Sequence, residues 1–438
     1  MSIPLDRLYH YIESVAEKIR GDHVLIYRFF PHGSKKPEDL TLINDYAGHE
    51  EILSPHVICY DQEPLYYGLY DVDTPIPEFR LTLLPEGIRE ICRQIKFDKS
   101  NLRNYTVNMY DHAILIHSER RSVNVDKYNE NNFIPVYYWS HAVIARDWFR
   151  YAEHVRQKKM VASTFLIYNR AWSGTREYRL KFAEHLVRLG LDSSCLMRVG
   201  TLDSATGKHY DLHTFENPVW GPKVVIENFF PECTADSHSS ADFDLRDYES
   251  TAIEVVLETL FDDDRLHLTE KTLRPIAMGQ PFILAATHGS LEYLRDYGFK
   301  TFSDCWDESY DVTTDPVDRL CKITNIMKNI SCMLPSKQKE MLARAQVIAD
   351  HNQQHFFSDK FQTQVSKELH NNLTVGLACI EELNTGQRFL NRRKKMLANA
   401  EYRKYSILNK ENNSEWRKGL ASFLKQARKY KLRTLPPA

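Results

Sequence analysis

The chain has 438 residues, a formal net charge of −2, 42% hydrophobic and 12% aromatic residues. This describes an ordinary soluble globular protein, with length for two or three domains and a large buried core. No apolar run reaches membrane-spanning length, residues 1–6 are not expected to act as a signal peptide, and eight scattered cysteines without a CxxC pair argue against a disulfide framework or a structural zinc site and fit a reducing cytoplasm.

In chain order, residues 5–20 carry an apolar helical face (Leu5, Leu8, Tyr9, Ile12, Val15) and residues 24–29 read as a buried strand. Residues 57–60, 113–116 and 135–139 are three more strands. They run directly into Asp61-Gln62-Glu63-Pro64, His117-Ser118-Glu119 and Ser140-His141. Strands that each finish in polar residues predict a Rossmann-like domain over residues 1–150 with a shared functional rim. The charged segment 147–160 reads as a helical crossover. Residues 164–168 begin a second sheet, whose exit loop carries Arg170 and Arg176 before a helix with Arg179 and Phe182. Residues 223–228 read as a further strand.

Residues 254–311 alternate the two periods of an α/β sheet. Residues 253–259 form a β-branched strand before the polar turn Asp262-Asp263-Asp264. Thr269 caps a helix that opens with Glu270-Lys271 and ends at Gly279. Residues 281–286 are a second strand, 291–297 a helix stopped by Gly298, and 299–302 a short third strand, which together make half of a doubly wound sheet. Past Asp311 the chain reads as helical to about residue 383. Ligands bind at the carboxyl ends of strands, and helix N-termini attract phosphate. Lys271 therefore adds a charge toward a diphosphate, and Glu270 can accept from paired ribose hydroxyls. A capped, solvated helix start is the plain alternative.

The segment Thr269-Glu270-Lys271-Thr272-Leu273, followed by Gly279-Gln280-Pro281-Phe282-Ile283-Leu284, resembles the donor site of fucosyltransferase-type GT-B glycosyltransferases and is similar to phage glycosyltransferases. The resemblance covers residues 160–311. It implies two Rossmann-like domains, with Glu270 on the nucleotide ribose and Lys271 on the diphosphate. An arginine also meets the diphosphate: Arg179 matches the family spacing best, with Arg176 and Arg170 as alternatives. It further implies a donor-binding domain over residues 151–385, a nucleotide-sugar donor with a UDP-sugar favoured, no obligatory metal, and action in the host cytoplasm during phage infection. A DxD metal reading of residues 262–264 is set aside, because a GT-B site neutralises phosphate with a helix dipole and cations.

Glycosyl transfer also needs an acceptor-side base. Asp61 or Glu63 is the candidate, with Asp45, His117, Glu119 and His141 behind them. His141 is placed to touch either substrate. Glu308 and Asp311 resemble an end-motif of the phage proteins, and Tyr310 is a candidate for stacking on a base. From residue 386 onward 15 Lys/Arg face 3 Glu, a net of +12, so the remaining 42 Lys/Arg and 56 Asp/Glu leave an acidic body of −14. Arg392, Arg393, Lys394 and Lys395 lead this basic extension (386–438), where Tyr402, Tyr405, Trp416 and Phe423 are interleaved. Such a tail predicts a nucleic-acid partner, with docking on the acidic body or on an anionic membrane surface as alternatives. The expected activity is sugar transfer, of a hexose or a pentose such as arabinose, onto hydroxymethylcytosine in duplex phage DNA. Transfer to protein or surface polysaccharide and a non-enzymatic DNA-binding role on the same scaffold are the competing expectations.

Overall fold

The computed structural model of the chain describes residues 24–28, 40–43, 56–61, 113–120, 136–154, 158–204, 206–224 and 243–384. The chain divides into two compact α/β units. One comprises Met1–Pro4, Glu119–Ser122 and Ser140–Lys367; the other comprises Leu5–Ser118, Val123–Trp139 and Glu368–Ala438. Among the described residues no helix is long and apolar enough to cross a membrane.

The sheet of the second unit contains β1 (Val24–Arg28), β2 (Leu40–Ile43), β3 (His56–Asp61), β4 (Ala113–His117) and β5 (Val136–Tyr138), in the order β2-β1-β3-β4-β5. Only β2 is antiparallel. It was not predicted, since LTLI is too short a run to stand out from its polar surroundings. The register sets Asp61 beside His117, and His117 beside Tyr138.

The first unit is built on a four-stranded parallel sheet of β6 (Ser163–Asn169), β7 (Cys195–Val199), β8 (Thr251–Leu257) and β9 (Phe282–Ala285), in the order β7-β6-β8-β9. Every residue of β8 is buried, as a central strand covered on both faces requires. The helix α2 (Tyr178–Arg188) joins β6 to β7, and α4 (Glu270–Met278) joins β8 to β9. Between them in sequence lies the short α3 (Leu245–Glu249), and before β6 lies α1 (Ala142–Trp148). Right-handed crossovers that leave the centre in opposite directions put α2 and α4 on opposite faces. The helices α5 (Ser290–Asp296), α6 (Pro316–Ser331), α7 (Pro335–Phe357) and α8 (Asp359–Asn384) follow. Of these, α6 packs on α2 and β9, while α1 and α7 pack on α4.

Three predicted elements differ. Residues 299–302 form no strand. Phe299 and Phe302 are both buried, but Asn352 on α7 takes the Lys300 N–H and donates to the Lys300 carbonyl, both at 2.8 Å, so a side-chain amide replaces a neighbouring strand. The predicted helix over 147–160 is instead α1, which starts earlier, and a 3-10 turn at Arg150–His154. The Arg146 guanidinium at the end of α1 donates to the Phe357 and Ser358 carbonyls, 2.5 and 2.9 Å away, which ties that end to the last turn of α7. Of the predicted strand at 223–228, Lys223 makes a single bridge to Thr214, and residues 225–228 lie outside the described residues, as does the helix-like stretch 5–20. The unpredicted β7 (CLMRV) has one β-branched residue, and its Arg198 is held by Asp247 through a bidentate pair at 2.6 and 2.9 Å.

Two glycines are dictated by the packing. Gly279 ends α4 in the left-handed region (φ 64°), and Gly298 follows α5 at φ 87°. A Cβ at Gly298 would stand 2.9 Å from the His355 ring. Gly298→Ala is expected to cost about 1–3 kcal/mol in urea unfolding, from the left-handed backbone plus the displaced ring. His185, in the last turn of α2, gives a pH prediction. Burial and the neighbouring Arg188 and Lys181 push its pKa down to about 4, so the folded chain keeps it neutral. The unfolded chain binds that proton below about pH 6.5. Stability is therefore expected to fall as pH drops from about 6.5 to about 4, with uptake on unfolding of up to about one proton that His185→Leu abolishes.

Candidate active site at the carboxyl ends of β6 and β8

The strand order reverses between β6 and β8, and at such a point an α/β sheet opens a crevice beyond its strand ends. Three segments converge there: residues 170–177 after β6, residues 258–269 after β8, and the start of α4.

The centre is Glu258, fully buried directly after β8. Its Oε1 accepts from the Thr269 N–H (2.9 Å), the Thr272 N–H (3.2 Å) and the Thr272 hydroxyl (2.5 Å). Its Oε2 accepts from the Thr259 N–H (3.1 Å) and the Thr269 hydroxyl (2.8 Å). A buried carboxylate is tolerated only when it is hydrogen-bonded in this way. Two of the donors are main-chain groups of the first turn of α4, which have no partner within the helix. The helix N-terminus expected to receive a phosphate is thus already occupied in part by a carboxylate of the chain itself.

The segment Thr269-Glu270-Lys271 sits on this anchor. The Thr269 hydroxyl caps α4 by accepting from the Lys271 N–H (3.3 Å), and it also accepts from Lys271 Nζ (3.2 Å). Lys271 Nζ pairs with Glu270 Oε1 at 2.7 Å, both side chains being largely but not wholly covered. Pro275 has no N–H to give the Lys271 carbonyl. Farther along α4, Arg274 makes a buried 2.6 Å ion pair with Glu254 of β8 and lies 4.4 Å over the Tyr168 ring. Burial opposes the Arg274 charge, but Glu254 and the two tyrosines outweigh it and raise its pKa. At the other end of α4, Gln353 and Gln346 of α7 donate to the Ala277 and Gly279 carbonyls, each at 2.8 Å.

Of the three arginines, Arg179 is buried. Its Nη1 donates to the Ala171 carbonyl (2.7 Å) and Asn169 Oδ1 (3.3 Å), and its Nη2 to the Leu257 and Glu258 carbonyls (both 2.9 Å). Burial pulls its pKa down. All four terminal N–H groups are spent on the strand ends, so Arg179 braces β6 against β8. Arg170 and Arg176 are half-buried in the loop above it. Asp203 shapes that loop by accepting from the Trp172 N–H (3.0 Å), and the Arg170 carbonyl accepts from the Ser204 N–H (2.9 Å). Glu177, next to Arg176, is buried and accepts from His213 Nε2 (2.9 Å) and from the Glu216 and Asn217 N–H groups (2.7 and 2.9 Å).

The other sequence candidates fall in varied places. His141 is buried at the start of α1, its ring edge-on to His267 with centroids 5.4 Å apart, two residues before Thr269. Asp61 closes β3 in the other unit. Glu63, Arg392, Arg393, Lys394 and Lys395 lie outside the described residues. Tyr310 is not available to stack on a base: it is buried, and its hydroxyl accepts from the Leu284 N–H at 3.4 Å. Asp311 accepts from the Leu291 N–H at the start of α5 (2.9 Å), and Glu308 from the Phe302 N–H (2.6 Å), so both hold main chain. Asp262 accepts from Asn217 Nδ2 (2.6 Å) and Trp220 Nε1 (2.9 Å), Asp263 holds Arg265 at 2.6 Å, and Asp264 faces His288 at 3.3 Å. Among the described residues no group of three or more His, Cys, Asp or Glu could hold a metal ion.

Sequence reasoning missed Glu258, Glu177 and Asp203. The signal available for Glu258 was a second carboxylate, after Glu254, closing a β-branched strand, which burial obliges to find donors. Comparison of the chain with known protein families, with curated proteins and with solved structures gave no match.

Arg179→Met is expected to destabilise the protein by at least about 2 kcal/mol in denaturant titration, because buried carbonyls at Ala171 and Leu257 lose their donor.

Proposed function

We propose that the chain is a nucleotide-sugar-dependent glycosyltransferase of GT-B architecture, with the donor bound at the carboxyl ends of β6 and β8. The observation that carries this reading is the anchored Thr269-Glu270-Lys271 turn at the strand-order reversal, where the exit loop of β6 carries two half-buried arginines. A departing diphosphate needs cations fixed before the reaction. Lys271, with Arg170 or Arg176, supplies them, and Arg179 supports the floor beneath. Because Glu258 already occupies the start of α4, the reading rests phosphate recognition on side-chain cations more than on free main-chain N–H groups. Glu270 receives the ribose hydroxyls. In this account the Glu270–Lys271 ion pair opens on binding, each member exchanging the other for a part of the ligand.

Asp61 or Glu63 is the acceptor-side base, taking the proton of the attacking hydroxyl as the bond from the anomeric carbon to the diphosphate breaks. The basic extension favours duplex DNA as acceptor, and hydroxymethylcytosine offers the primary hydroxyl such a transfer needs. A UDP-sugar is the favoured donor, and the proposed site is in the host cytoplasm during phage infection.

The test is release of nucleoside diphosphate from a panel of UDP- and GDP-sugars, with and without hydroxymethylcytosine-containing duplex DNA. DNA-dependent turnover with one donor is expected, and Lys271→Ala should lower it roughly 100-fold or more. Slow hydrolysis indifferent to DNA would move the acceptor to protein or polysaccharide. Absence of both turnover and donor binding would overturn the enzyme reading, and DNA binding that survives Lys271→Ala would then favour a binding protein.

A further inference from the structure

Glu258 was not itself expected to meet a ligand, yet the polar groups of the α4 first turn are arranged around it. In a common helix start, the N-cap side chain serves the N–H three residues on, and the side chain at that third position reaches back. Here Thr269 and Thr272 occupy those two positions, and one carboxylate from the end of β8 takes both N–H groups and both hydroxyl protons. The Thr269 hydroxyl has a single proton, and the Glu258 carboxylate has only acceptors. That proton therefore points at Glu258, which leaves the hydroxyl lone pairs for Lys271, whose main-chain N–H and Nζ lie 3.3 and 3.2 Å away.

We infer that Glu258 is a positioning residue: through the Thr269 hydroxyl it sets the polarity of a relay that ends on Lys271 Nζ, and so holds the Lys271 ammonium against Glu270 in the place where an anionic ligand is to meet it. An amide at position 258, with its oxygen in place of Oε1, still accepts from the Thr269 and Thr272 N–H groups and gives up the Thr259 N–H. It also offers an N–H of its own to Thr269 Oγ1, competing for the lone pairs that Lys271 uses and turning the hydroxyl proton outward. A residue that merely supports the fold lowers stability and leaves the Lys271 amine as it was. A positioning residue changes that amine.

The readout is the rate at which Lys271 Nζ is acetylated by dilute acetic anhydride in the full-length protein, followed by mass spectrometry and normalised to exposed lysines such as Lys337. Glu258→Gln is expected to raise Lys271 labelling several-fold. Gly298→Ala, which destabilises α5 without touching the relay, should leave it at the wild-type rate. Should Glu258→Gln fail to fold, Thr272→Val removes one donor from the same carboxylate and is expected to give a smaller rise. Unchanged labelling in folded Glu258→Gln, or in Thr272→Val where Glu258→Gln does not fold, would overturn the inference. So would an equal rise in Gly298→Ala. The consequence for ligand binding rests on the glycosyltransferase reading and is measured separately, by calorimetric titration with UDP and GDP. Glu258→Gln should weaken binding about tenfold or more, whereas Gly298→Ala should not. Changed labelling with no nucleotide binding by the wild type would keep Glu258 as the positioning residue and sink the donor reading alone.

Discussion

A carboxylate buried at the end of a central strand must be surrounded by donors, and the carboxyl end of the first unit's sheet is arranged around that requirement. Glu258 collects five hydrogen bonds, four of them from the first turn of α4. Ionised, it also complements the positive end of the helix. The position of α4 relative to β8 is thereby set at its start. Arg274 and Glu254 set it again in the middle, and two glutamines of α7 close its last carbonyls. A helix held at three points along its length presents its first turn, with Glu270 and Lys271, rigidly.

The same end of the sheet shows how buried cations are accommodated without carboxylates. Arg179 spends its terminal N–H groups on three main-chain carbonyls and Asn169 Oδ1, and Arg319 donates to the carbonyls of Phe261, Thr313 and Thr314 while lying 4.5 Å over the Phe261 ring. Phe261 also stacks on Tyr178, whose hydroxyl donates to the Glu258 and Ala285 carbonyls. Strand ends leave carbonyls without ladder partners, and these long side chains supply donors where water is excluded. The cost is that Arg179 is consumed by structure, while Arg170 and Arg176 keep partial exposure.

Much of this sheet was legible before folding was considered. The β-branched run of β8, the Thr269 cap and the Gly279 stop mark β8 and α4 closely, because caps and strand periodicity are local chemistry. The Thr269-Glu270-Lys271 turn is legible for the same reason. Residues 299–302 mislead for an instructive cause: their two phenylalanines are indeed buried, but whether a strand forms depends on what lies beside the backbone. There, Asn352, fifty-two residues from Lys300, occupies that place. The strand β7 is lost to view because its leucine and methionine carry no strand preference, and its pairing comes from β6.

The sequence by itself therefore determined β8, α4, their termini and the candidate turn, since each depends on the conformational preferences of a few adjacent residues. Tertiary structure alone decided the strand order β7-β6-β8-β9, the retreat of Arg179 and Tyr310 into the interior, and the roles of Glu258, Glu177 and Asp203. Those outcomes turn on the hydrogen-bond demand of polar groups taken out of water. That demand is satisfied by whichever donor or acceptor the fold brings near, at whatever separation along the chain.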